Sequence, residues 1–201
     1  MKTRSSLLAP FILAALVLGN GCPGSAASPN DAAAQSASQP SERTLERFEA
    51  SRIRMGVPFR IALYACDEAA ANKSLDAAFA RIRDLDQICS DYDPESELMR
   101  LCSSATPGTP YPVSADLFYV VCSAQHYAQV SRGAFDVTVG PLVQLWRAAR
   151  RKRELPQPEQ LAEAIARSGY HCLTLDQSKR TITLHREKMR LDLGGLANGF
   201  A

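Results

Sequence analysis

Apolar and polar positions alternate along Phe59-Arg60-Ile61-Ala62-Leu63-Tyr64, which predicts a strand with one buried face inside the stretch Arg52 to Ala65. The period then changes. Leu75, Phe79, Ile82, Leu85 and Cys89 recur at spacings of three and four, so a helix follows Asp67, which can cap it. Ser90-Asp91-Tyr92-Asp93-Pro94 has the composition of a loop, and Ser96 to Cys102 reads as a short helix stopped before Pro107-Gly108. A third helix starts at the cap Ser114, buries Leu117, Phe118, Val121 and Ala124, and stops at Gly133. Phe135 to Val139 is expected as a short strand, and Pro141 opens the next helix, where its missing N–H does no harm. Pro158 opens another, running through Leu161 and Ile165 to Gly169. His171 to Leu175 and Thr181 to His185 form a hairpin about Asp176-Gln177-Ser178-Lys179, and Arg190 to Leu193 is the last strand. Hairpins and helices without strict alternation predict an α+β fold, a mixed or antiparallel sheet with packed helices.

The first 42 residues follow other rules. Lys2 and Arg4 precede an apolar run, Leu7 to Leu18, too short to span a membrane comfortably, that ends at small residues and Cys22. This is the pattern of an export signal of lipoprotein type over residues 1–22, with Cys22 lipidated; cleavage after Ser25-Ala26-Ala27 is the competing reading. Either places the domain outside the cytoplasm, and the lipidated form on a membrane at the periplasmic or outer face. Residues 23–42 are Ala, Ser, Pro, Gln and Asn with almost no large apolar side chain, the composition of a flexible linker. The folded domain is expected over 43–201, enough for one ordinary core.

Charge narrows the partners. A formal net charge of +2 with 22% charged residues gives no nucleic-acid footprint, and the basic cluster Arg147 to Arg153 lacks interleaved aromatics and reads as a solvated helix end. Six cysteines in an exported chain suggest disulfides, yet their wide spacing and apolar neighbours favour small buried hydrophobes, and no CxxC pair suggests zinc.

Two segments carry candidate chemistry. Leu191-Asp192-Leu193-Gly194-Gly195-Leu196-Ala197-Asn198-Gly199 joins a strand, a glycine turn and a helix start, which lets backbone N–H groups approach a phosphate with Asp192 at the rim. Gly133-Ala134-Phe135-Asp136-Val137-Thr138-Val139-Gly140-Pro141-Leu142 puts Asp136 and Thr138 on one face of its strand, which alternation alone explains as a solvated edge. Taken with Arg54-Met55-Gly56, with Cys89 to Leu98 and with Trp146, these segments resemble in order the FAD:protein FMN transferase (ApbE) family from Met55 to Ala201.

The resemblance implies Mg²⁺-dependent cleavage of the FAD pyrophosphate, loss of AMP and transfer of FMN to a threonine of a partner protein, with flavoprotein subunits of membrane redox complexes as acceptors. It also implies roles: Met55 and Tyr92 line the flavin side, Ala134, Phe135 and Asp136 form a wall of the cleft, and Asp192 and Asn198 contact the dinucleotide. Gly195 would offer a backbone carbonyl to Mg²⁺. The family commonly has lysine or glutamine at position 198 and threonine at position 57, so Asn198 and Val57 depart from it. Its catalytic histidine and side-chain metal ligands match nothing before residue 201; His126, His171 and His185 read as surface or strand residues. The expectation is therefore a C-terminally truncated domain, inactive as this fragment. Its rivals are an FAD-binding protein or FAD pyrophosphatase that does not transfer FMN, and a non-enzymatic lipoprotein scaffold.

Overall fold

A computed structural model describes residues 44–201. The expected signal, linker and Cys22 lie outside the described residues.

Two strands open the domain, β1 (Glu46–Arg54) and β2 (Val57–Ala65), paired antiparallel with Arg54 opposite Val57. Met55 and Gly56 are the whole turn, and both have positive φ, +49° and +74°. That is the backbone of a tight hairpin whose twist suits its strands. It places a non-glycine residue in the left-handed region, at some cost. The sequence pattern points to β2 but not to β1, where Glu46, Arg47, Glu49, Ser51 and Arg52 leave few apolar positions to count.

Helix α1 (Glu68–Cys89) carries the expected stripe: Leu75, Phe79, Ile82, Leu85 and Cys89 are all buried. Asp67 caps it by accepting from the Ala70 N–H at 2.7 Å. Its stripe covers one face of the hairpin, where the Arg52 guanidinium lies 4.6 Å from the centre of the Phe79 ring. Helix α2 (Glu97–Ser104) is capped by Ser96 and helix α3 (Ala115–Val130) by Ser114, each hydroxyl accepting from the third N–H beyond it. Helix α3 is the centre of the core: Leu117, Phe118, Val120, Val121 and Ala124 meet Leu98, Leu101, Leu173, Ile182, Leu191 and Leu193.

A second sheet has the order β3 (Tyr111–Pro112), β5 (Thr181–Leu184), β4 (Leu173–Asp176), both pairings antiparallel. The β4–β5 hairpin is the expected one, entered through a short 3-10 turn at Tyr170–Cys172. Helices α4 (Gly140–Lys152) and α5 (Pro158–Ala166) pack on each other. Helix α5 ends before the expected Gly169, and α6 (Ala197–Phe200) closes the described chain. The α+β class expected from the sequence is the one observed.

Two expected strands are not strands. Phe135 to Val139 is a turn held by Asp136, whose Oδ1 accepts from the Thr138 N–H at 2.8 Å and its hydroxyl at 2.7 Å, while Oδ2 accepts from the Tyr170 N–H at 2.8 Å. A carboxylate that satisfies nearby N–H groups removes them from a ladder. Thr138 is fully buried, not at a solvated edge, and its hydroxyl also accepts from Gly169 N–H at 2.7 Å. Arg190 to Leu193 keeps one parallel bridge, Arg190 to Val139, and one further bond, Asp192 N–H to Val137 carbonyl at 2.7 Å. Gly140 lets these two segments touch: a Cβ there would lie 2.6 Å from the Arg190 carbonyl oxygen.

No helix among the described residues is long and apolar enough to cross a membrane.

Candidate functional site

Four stretches distant in sequence converge on a cavity of about 610 Å³. The hairpin tip supplies Met55 and Gly56, the end of α1 supplies Asp86 and Cys89, the following loop supplies Ser90, Asp91 and Tyr92, and the last segment supplies Gly194, Ala197 and Asn198. Arg147 reaches in from α4.

Each wall is fixed by local chemistry. Asp86 accepts from the Met55 N–H at 3.3 Å and ties the hairpin tip to α1. The loop is shaped by Ser90, whose hydroxyl oxygen accepts from the N–H groups of Tyr92 and Asp93 at 3.3 and 3.2 Å, and by Ser96, whose hydroxyl donates to the Ser90 carbonyl at 2.6 Å. Asp192 turns the last segment by accepting from Gly194 N–H at 2.9 Å. Leu196 and Ala197 both donate to the Leu193 carbonyl, at 2.9 and 2.8 Å. The N–H groups of Gly194, Leu196 and Ala197 are thus satisfied within the turn.

Arg147 is the cation of the cavity lining and was hidden in the sequence by its basic neighbours. Arg150 to Arg153 are exposed, as a solvated helix end requires, whereas Arg147 points inward. It donates to Asp91 through one terminal nitrogen and lies 3.4 Å from Asp192 through the other. Its guanidinium carbon sits 4.2 Å from the centre of the Tyr92 ring. The three charged side chains are only 31%, 14% and 13% exposed. Burial works against the charge of Arg147, but the hydrogen bond to Asp91, with Asp91, Tyr92 and Asp192 close by, raises its pKa above the ordinary guanidinium value. Helical spacing carries the signal that composition obscured: Arg147 lies seven residues after buried Gly140, on the same face of α4.

Burial pushes the Cys89 thiol up to about 12, helped by Glu97, Asp116 and Asp86, so it is a neutral apolar wall and not a nucleophile. Cys172 is also buried, Cys102 and Cys122 are half-buried, Cys66 is exposed, and all five are free thiols. The expected site residues divide accordingly. Met55, Tyr92 and Asn198 line the cavity, and Asp192 borders it through Arg147. Phe135 stands behind the glycine turn, 3.3 Å from where a Cβ on Gly195 would be, while exposed Ala134 and turn-forming Asp136 do not line it. The three histidines lie elsewhere.

A hard divalent cation needs several oxygen donors. Among the described residues no three His, Cys, Asp or Glu come together, and Asp91 and Asp192 are engaged by Arg147. Gly195, expected to offer a carbonyl, is not among the residues that line the cavity. The described residues do not form a magnesium site by themselves.

A hairpin tip and a glycine turn thus face each other across a part-polar cleft of the kind that small molecules occupy. The family model of the ApbE family matches residues 55–201, and the chain belongs to that family. It is 34% identical to the FAD:protein FMN transferase of Chlamydia trachomatis serovar D over 171 residues, covering 83% of this chain and 51% of that protein. It is 38% identical to the FAD:protein FMN transferase of Haemophilus influenzae over 136 residues, covering 66% of this chain and 39% of that protein. Among solved structures, the flavin transferase ApbE of Vibrio cholerae superimposes with a TM-score of 0.67 at 27% identity, covering 78% of this chain and 51% of that one. The chain spans about half the length, or less, of these relatives.

Proposed function

We propose that this chain provides the FAD-binding wall of an FAD:protein FMN transferase. The observation that carries the reading is the convergence of Met55, Tyr92 and Asn198, from three separate family-matching blocks, on one cavity. In the reaction a threonine oxygen of an acceptor protein attacks the phosphorus of the FMN half. The pyrophosphate P–O bond breaks, and AMP leaves with the electron pair. A magnesium ion would neutralise phosphate charge; Gly195 is proposed as one carbonyl donor to it.

The residues here bind and orient. Met55 and Tyr92 cover the flavin ring, Cys89 adds a neutral wall, and Asp192 and Asn198 face the dinucleotide, with Phe135 supporting the turn that carries them. With no histidine in the lining and both Asp91 and Asp192 tied to Arg147, the base that takes the threonine proton is not assigned to these residues. Residues 44–201 are proposed to hold FAD without completing transfer by themselves.

Titrating the purified protein with FAD and following flavin fluorescence tests the reading. Saturable quenching that is weakened in Tyr92→Ala is the expected result, and no saturable binding would overturn it. We further propose export and a lipid on Cys22, with flavoprotein subunits of membrane redox complexes as acceptors. Palmitate labelling present in the wild type and absent in Cys22→Ala is expected; equal labelling of both, or none in either, refutes the anchor.

A further inference from the structure

Tyr92 sits on a loop and is 77% exposed, yet one face of its ring is covered by the Arg147 guanidinium at 4.2 Å. An exposed tyrosine on a loop normally keeps its rotamer freedom, and a ligand that stacks on it must remove that freedom on binding. Here the removal has already happened. The guanidinium is itself fixed, by Asp91 on the same loop and by Asp192 across the cleft, and these carboxylates are far more buried than the ring. A planar cation held by two anions is a rigid backing plate, which a lysine ammonium cannot imitate.

We propose that Arg147 is a positioning residue that braces Tyr92 from behind and holds its open face ready for a planar heteroaromatic ring. The inference rests on the reading of the cleft as a flavin site and adds a residue that acts on the ligand through Tyr92. Arg147 then serves the ring and not the phosphates, which sets a sharp expectation for how flavins differing only in phosphate content respond.

The test titrates riboflavin, FMN and FAD into the wild type and into Arg147→Ala, Arg147→Lys, Arg150→Ala, Tyr92→Ala and the Arg147→Ala/Tyr92→Ala double variant. Affinity and the quenching amplitude at saturation are both read. Loss of one pre-fixed side chain should weaken all three flavins alike in Arg147→Ala, by about three- to tenfold. Residual quenching should fall as the ring disorders. Arg147→Lys should behave like Arg147→Ala, Arg150→Ala like the wild type, and the double variant no worse than Tyr92→Ala, since the arginine acts through the tyrosine. Thermal midpoints check folding; should Arg147→Ala fail to fold, Arg147→Lys and Asp91→Asn, which releases one anchor, decide by the same criteria.

Weaker FMN and FAD with unchanged riboflavin would make Arg147 a phosphate reader and overturn the proposal. Rescue by lysine, additive loss in the double variant, or no change in Arg147→Ala would each do the same. A folded wild type that binds none of the three overturns the flavin reading itself, before any variant is compared.

Discussion

Substituting Gly140 by alanine tests whether α4 is locked to the Arg190–Asp192 segment. A Cβ at this position would stand 2.6 Å from the Arg190 carbonyl oxygen, 2.7 Å from its carbonyl carbon and 2.8 Å from its Cβ. Two of these are backbone atoms and cannot rotate aside. Relief requires the two segments to part by about 0.6 Å or more, and overpacking of that kind costs about 1 to 3 kcal/mol. The shift also strains the Val139–Arg190 bridge and the Asp192 N–H bond to Val137, and losing one such bond adds about 1 kcal/mol. Alanine returns up to about 1 kcal/mol of helix propensity at the start of α4. The net loss is therefore about 1 to 3 kcal/mol, and at about 2 to 4 °C per kcal/mol for a domain of this size the midpoint should fall by roughly 2 to 12 °C. Urea and thermal unfolding followed by circular dichroism measure it, and the single tryptophan, Trp146, reports from within α4 itself. Gly199→Ala is the matched control, because a Cβ there meets nothing within 4 Å. A midpoint for Gly140→Ala equal to that of the wild type, or equal losses in both variants, would refute the close approach.

Three other outcomes follow from the geometry. Met55→Asn suits the left-handed turn better and should stabilise the fold by about 0.5 to 1 kcal/mol in urea unfolding while weakening FAD in titration, since the thioether leaves the cavity. Cys66 should react with a thiol reagent in the folded protein, whereas Cys89 and Cys172 should react only on unfolding, as mass spectrometry of timed labelling can show. Asp116 is held below its ordinary pKa by its hydrogen bonds from Arg81 at 2.6 and 2.9 Å, so its contribution is complete above the unfolded carboxylate value and lost as pH falls through the lower folded one. The stability gap between wild type and Asp116→Asn should accordingly be flat above about pH 5 and close below about pH 4.

Helices were the most legible part of this chain because a capping side chain or a first-turn proline marks where each of α1 to α5 begins. Asp67, Ser96 and Ser114 stand where caps belong, apolar spacing continues from them, and all three side chains accept the bond that a cap accepts. Strands were harder. β1 hides behind a charged outer face, and Asp136 turns Phe135 to Val139 away from the ladder that alternation suggested. The site shows the same division. Met55, Tyr92 and Asn198 were found through their sequence blocks, but Asp86 and Arg147 belong to helices whose local pattern is complete without a function. Their roles arise from partners 31, 45 and 56 residues away, distances that no local window spans.

The β1–β2 ribbon has a kinetic consequence. Two strands alone are marginal in water, and this pair relies on one face of α1, with Asp86 pinning its tip. Such a ribbon is the kind of unit that opens separately from the core, at less than the global unfolding free energy. Its tip is also a wall of the cavity, so each opening withdraws Met55 and unroofs whatever is bound. Ligand residence time is then capped by the lifetime of the hairpin rather than by the depth of the pocket. Weakening the Asp86 pin would raise the off-rate and hydrogen exchange of β1 and β2 together, while α3, at the centre of the core, kept its protection.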